Sequence, residues 1–365
     1  MDIRRPGAGV EPLQAARFAL RDDGTGAPMI PGAGARAMER LTRLTVARAT
    51  ASVGALAAVA LMIAAPDLER PGPMEAAAVL ILFLALWVTK TVSDPLAAII
   101  FFIAAVSVIG VPPEIAMSGF HSNAVWLVLG GLIVGAAIKS TGLGERMAIA
   151  MLARSARSYR AIIVGAVAVG AVLAFIAPSA VGRVLMLTPI VMALAERLGF
   201  EPGSPGRNGL ILAATLGTLI PSYAVLPSTI PNIAMMGAAQ NLYGIKFAYS
   251  SYLIANFPVL AVATIIVLPV LICGLFCDTP RRAATRPELS VSSRDEKWLV
   301  AILCAALVLW ASDSLYGISP AWVALGAGMM CLCPGFGPAR AMSIEHEVKF
   351  GVWLLIAAII SLGAV

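Results

Sequence analysis

Two short segments of this sequence interrupt apolar stretches with residues that could hold an ion. In Ala177-Pro-Ser-Ala-Val-Gly-Arg183, proline withdraws a backbone donor, glycine permits a tight turn and Ser179 adds a hydroxyl. In Pro221-Ser-Tyr-Ala-Val-Leu-Pro-Ser-Thr-Ile-Pro-Asn232, three prolines break a second stretch and leave Ser228, Thr229 and Asn232 beside the break. A helix broken inside an apolar medium presents amides that attract an anion at one new end and carbonyls that attract a cation at the other. The competing reading is a pair of ordinary kinks whose hydroxyls bond back to nearby carbonyls. Arg183 is the one strong charge that falls deep in an apolar stretch. Such a charge is costly to bury, so its simplest role is counter-charge to an anionic substrate, the alternative being that it snorkels or pairs structurally with Glu196 or with helix C-terminal carbonyls.

The remaining polar groups carry less. Lys90 and Asp94 flank the end of an apolar stretch and read as interface anchors. Glu345-His346-Glu347 has metal-capable side chains but sits between apolar stretches, as a solvated cluster would. Cys273, Cys277, Cys304, Cys331 and Cys333 lie in or beside apolar runs without zinc-type spacing and read as small apolar residues. No paired carboxylates, metal set or cofactor motif occurs within the apolar stretches, which argues against a membrane-embedded enzyme.

These segments must be positioned by helices in a bilayer. Apolar residues make up 59% of the 365 and charged ones 13%, too little polar surface to cover a soluble globule of this length. The expected fold is therefore an all-α integral membrane protein, since helices satisfy their own backbone groups and the short alternating segments of a barrel are absent. Spans are expected near 46–65, 74–92, 95–111, 122–139, 208–240, 251–276, 298–312, 319–334 and 350–365. The stretch 161–196, interrupted at Pro178-Ser179, is expected to form a re-entrant hairpin. All but Arg70, Lys246 and Arg183 of the 26 Lys and Arg then fall on one side, which the positive-inside bias makes cytoplasmic. The Gly-, Pro- and Arg-rich residues 1–45 become a cytoplasmic tail, 46–73 a first span and loop, and 277–297 a cytoplasmic linker. The net charge of +6 follows from this topology and calls for no nucleic-acid partner.

The sequence also repeats itself. Val125 to Ile138 (VWLVLGGLIVGAAI) returns as Val352 to Val365 (VWLLIAAIISLGAV), Leu86-Trp87 followed by Pro95 returns as Leu309-Trp310 followed by Pro320, and Gly110 to Ser118 returns as Gly335 to Ser343. The first copy, 74–276, contains five crossings, the hairpin 161–196 and a broken helix at 208–240. Five is odd, so the second copy, begun at 298–365, should be inserted upside down. Inverted repeats, broken helices and binding at the midplane characterise secondary transporters.

The span order, the hairpin with Pro178-Ser179 and Arg183, the break Ser228-Thr-Ile-Pro-Asn232 and the segment Leu86-Trp-Val-Thr-Lys-Thr-Val-Ser-Asp-Pro95 together resemble the divalent anion/sodium symporter family over about residues 46–365. The resemblance implies substrate contacts from Ser179, Arg183, Thr229 and Asn232, and ion contacts from Ser179, Ala180 and Ser228. The family's hairpin-tip Ser-Asn-Thr reads here as Ser179, Ala180 and Val181. Ser228 and Ile230 depart from its Gly-Thr-Pro-Pro-Asn break, so both substrate class and coupling ion are open. The function implied is secondary active transport of a small anion, dicarboxylate-, citrate- or sulfate-like, coupled to sodium or protons, by a homodimer in the bacterial inner membrane with its N-terminus in the cytoplasm. No cofactor beyond a possible sodium ion is implied. A second copy ending at Val365 is further expected to lack its own hairpin and broken helix, and the alternative to a working carrier is an inactive fragment of one.

Overall fold

The structure, a computed structural model, describes residues 49–50, 52–58, 60, 73–155, 158–176, 179–281 and 293–365. The tail 1–45, the Arg70 loop, Ala177, Pro178 and much of the linker 277–297 lie outside them. Every regular element among the described residues is helical, and Asn123–Thr141, Tyr159–Ile176 and Tyr249–Leu275 are long and apolar enough to cross a membrane. The protein is an all-α membrane protein.

The chain divides into two compact units, Met1–Ser93 and Asp94–Val365. In the first, helix α1 (Pro73–Val88) crosses the helical residues around Gly54, where an added Cβ would stand 2.3 Å from that of Ala85. Its end is closed by Lys90, whose ammonium lies 5.9 Å from the Trp87 ring centroid in a cation–π contact typical of a membrane edge.

The second unit contains the expected break after Pro221; that at Pro178 lies outside the described residues. Helix α2 (Asp94–Ser107) leads through short turns to α3 (Asn123–Thr141), which Ser122 caps through Ala124 N and Gly142 ends in the left-handed conformation. Helix α4 (Leu143–Ser155) occupies what the apolar pattern left as a loop; Gly144, Ala148 and Leu152, four residues apart, form its buried face. Then come α5 (Tyr159–Ile176) and α6 (Ala180–Arg197), the arms of the expected hairpin, each 18 residues and about 27 Å long. That is more than two half-thickness arms require. The expected broken helix is α7 (Pro205–Ser222), a 3₁₀ turn at Leu226–Ser228, and α8 (Ile230–Tyr243). Ser204, followed by Pro205, starts α7 and Thr229 starts α8, each through its hydroxyl.

The expected span 251–276 is one helical path in three parts: α9 (Tyr249–Asn256), a π turn over Phe257–Val262, and α10 (Ala263–Leu275). Pro258 lies in the π turn, where its missing N–H interrupts the ladder. Helices α11 (Arg294–Ala311), α12 (Pro320–Leu332) and α13 (Phe350–Ser361) complete the described chain.

Two helix groups emerge. In one, α7 packs along both hairpin arms, and α10 packs on α5 and α7. Their core holds Ile162, Ile163, Leu173, Leu187, Leu210 and Ile272. The contact is close because it is made by small residues: a Cβ on Gly170 would lie 2.6 Å from the backbone of Gly217, and one on Gly217 2.6 Å from that of Val167. The start of α5, the end of α6, the start of α7 and the end of α10 meet at one end of this group. Tyr159 stacks edge-on to Phe200, Gly206 N donates to Asp278, and Arg281 N donates to the Leu198 carbonyl.

In the other group α2 pairs with α13, and α3 pairs with α12. Both pairs run parallel. Pro95, at the start of α2, meets Gly351 at the start of α13, while Gly119, beyond the end of α2, donates to Ser361 Oγ at the end of α13. Likewise Gly130 of α3 meets Ala324 and Leu325 of α12, and Ile133, further on, meets Gly328. Trp126 and Trp353, which correspond in the sequence repeat, stand with ring centroids 6.0 Å apart.

Candidate functional site

The start of α6 and the helix break come together at Arg183. Ser179 caps α6, its hydroxyl accepting from Gly182 N at 3.1 Å, and Arg183 extends from the first turn of that helix. The guanidinium donates to the hydroxyls of Ser222 and of Ser228, the latter at 3.0 Å. Ser222 is the last residue of α7, so the cation stands at that helix's negative end, far from where a cation would help its own helix. At 1% exposure Arg183 is interior. The pairing with Glu196 weighed from sequence is not made: the Glu196 carboxylate lies 3.4 Å from Arg207 at the opposite end of α6.

Asn232 closes the break from the other side. Its side-chain amide donates to the carbonyls of Ser222 and Tyr223, both at 3.3 Å, and of Val225 at 3.1 Å. Tyr223 O also accepts from the Tyr252 hydroxyl of α9 at 2.9 Å. The carbonyls released where α7 stops are thereby satisfied in a water-poor region, which lets an irregular turn persist there. Thr229 caps α8, its hydroxyl accepting from Asn232 N at 3.4 Å. The far end of α8 is held by Asn241, which donates to Ile360 O at 3.2 Å, and by Gly237, against which Ile360 packs.

The site residues named from sequence thus divide. Arg183, Ser228, Thr229 and Asn232 are buried and linked around the break; Ser179 is exposed and Ala180 half-buried at the neighbouring tip. Val181, Gly182, Ile230 and Pro231 are exposed beside them, so backbone at the starts of α6 and α8 is what a ligand would meet. Two of those starts, each with the positive end of a helix dipole and a buried guanidinium nearby, favour an anion. Ser222 was missed as a site residue, although it directly follows Pro221 in the break; Tyr252 gave no signal, lying in another span. Among the described residues no group of three or more His, Cys, Asp or Glu side chains could hold a metal ion.

Known proteins of similar sequence are membrane proteins and carriers. Over 339 residues the chain is 26% identical to a membrane protein of Cupriavidus necator, covering 85% of this chain and 66% of that one. It is 25% identical to the inner membrane protein YbhI of Escherichia coli K12 (57% and 46% of the two chains). To the L-tartrate/succinate antiporter of Escherichia coli UTI89 it is 22% identical (53% and 42%). The chain therefore spans at most about two thirds of the length of these relatives. The model of the citrate transporter family matches residues 84–365, and the chain belongs to that family.

Proposed function

We propose that this chain works in a secondary carrier that moves a small di- or tricarboxylate-like anion across the bacterial inner membrane, driven by a sodium or proton gradient. The observation that carries the reading is the buried Arg183 bridging the hairpin tip to the break between α7 and α8. On this reading the anion is held by exposed backbone and hydroxyls at the starts of α6 and α8, with Ser179 and Thr229 nearest and Arg183 supplying charge from behind Ser222 and Ser228. Kinship with divalent anion/sodium symporters, a homodimer and a cytoplasmic N-terminus belong to the same proposal.

The parallel pairing of α2 with α13 and of α3 with α12 supports an inverted repeat. Copies repeated in the same sense would make α2 parallel to its counterpart α12, and so antiparallel to α13. Reciprocal pairing of each copy's one helix with the other copy's other helix is what an internal two-fold axis produces, and the corresponding Trp126 and Trp353 meet where that axis would pass. The carrier reading is tested by uptake of labelled citrate, succinate and sulfate into proteoliposomes with and without imposed sodium and proton gradients. Gradient-dependent uptake of at least one anion is expected; uptake of none overturns the reading.

A further inference from the structure

We propose that Arg183 and Asn232 occupy the cation position of this helix break, so that the half-site carries its compensating charge as a side chain and does not take up a metal cation. The inference rests on the reading of the break as part of an anion carrier's site. Where a transport helix is unwound, its freed carbonyls and C-terminal end are the ligands that hold a coupling cation. Here that end is the last turn of α7, and five oxygens there, the hydroxyls of Ser222 and Ser228 and the carbonyls of Ser222, Tyr223 and Val225, already face donors belonging to the chain. The Ser222 and Ser228 hydroxyls accept from the guanidinium. The carbonyls of Ser222, Tyr223 and Val225 converge at 3.1–3.3 Å on the one amide nitrogen of Asn232. Three carbonyls aimed at one point make a cation-like cage, and an amide nitrogen with two hydrogens fills it. The adjoining unit of positive charge is Arg183, at 1% exposure. A sodium ion at this place would have to displace both side chains and share the space with a fixed like charge, which is unfavourable in a medium of low dielectric.

The consequence is that removing the guanidinium should open the position to a soluble cation. The test is the melting temperature of the detergent-solubilised protein in sodium chloride against choline chloride at equal ionic strength, for wild type, Arg183→Lys and Arg183→Ala. Wild type and Arg183→Lys are expected to respond alike to sodium. Arg183→Ala is expected to melt lower in choline and to be raised by sodium by about 2 °C or more beyond any wild-type response. An Arg183→Ala protein whose response to sodium equals that of wild type, including one unstable in both salts, overturns the proposal. The readout does not depend on transport: failure of every anion to be taken up by wild-type proteoliposomes removes the carrier reading, while a sodium response gained only in Arg183→Ala still supports the resident cation.

Discussion

At the scale of single residues, the break between α7 and α8 is held less by its prolines than by one amide. Asn232 ties together three carbonyls, each of which also accepts from one other donor (Val225 N, the Tyr252 hydroxyl and Ser228 N), so Asn232→Ala removes the shared donor that joins them and should destabilise the protein by about 1 kcal/mol. Asn232→Asp should be worse, because a carboxylate turns an acceptor toward the same carbonyls. Thermal unfolding of both variants in detergent checks the order, and an Asp variant as stable as wild type would show that the amide does not hold the turn. This role was only partly legible beforehand. Proline spacing located the break, and a lone charge in an apolar run marked Arg183, because both signals are local in sequence. Its partner Ser222 was not distinguishable from any other serine near a break, since the bond depends on α6 and α7 meeting. Asp313, which accepts from Tyr249 N and, at 2.7 Å, from the Ser250 hydroxyl to cap α9 across a long stretch of chain, was invisible for the same reason.

At the scale of elements, the helices carrying the site are positioned by small residues. Backbone contact at Gly170 and Gly217 lets α7 approach α5 closely, and the hydrophobic effect does not separate lipid-facing from helix-facing apolar groups, so fit decides the crossing. Gly217→Val should force the two helices apart, at about 1–3 kcal/mol or more. Gly274→Val, on α10 where a Cβ would meet nothing within 4 Å, should leave stability nearly unchanged. Comparing the two melting temperatures separates crowding from a general intolerance of valine, and equal losses would remove the argument. Sequence patterning identified most of these helices because long apolar runs need no tertiary context. It missed α4, where Glu145, Arg146 and Arg154 interrupt the apolar run. There the only signal was the spacing of Gly144, Ala148 and Leu152, which becomes a buried face once α5 and α6 pack against it.

At the scale of the whole molecule, the ends of the helices in the second unit sort into sets whose membrane side can be measured. Arg281 pairs with Glu201 at 2.6 Å, so the end of α6 and the end of α10 emerge together. Arg146 pairs with Glu296 at 2.9 Å and Arg340 with Asp295 at 2.8 Å, which joins α4 and the segment after α12 to the start of α11. Lys139 pairs with Glu347 at 3.0 Å and brings in the end of α3. Basic residues concentrate in all of these segments, so on the proposed topology they face the cytoplasm and Lys246, before α9, faces the opposite side. In a background with the five native cysteines replaced, single cysteines at Glu201, Thr279 and Ser343 should react with a membrane-impermeant maleimide only in inside-out vesicles. One at Lys246 should react only in right-side-out vesicles. Opposite labelling of Glu201 and Thr279 would mean that the path from α7 to α10 does not return to its starting side. Labelling of Ser343 from the Lys246 side would break the inversion of the repeat, because α12 would then leave the membrane on the face where α9 begins. The parallel pairing of α3 with α12 makes the second outcome incompatible with a cytoplasmic end of α3, so one set of four cysteines tests the crossings and the inversion together.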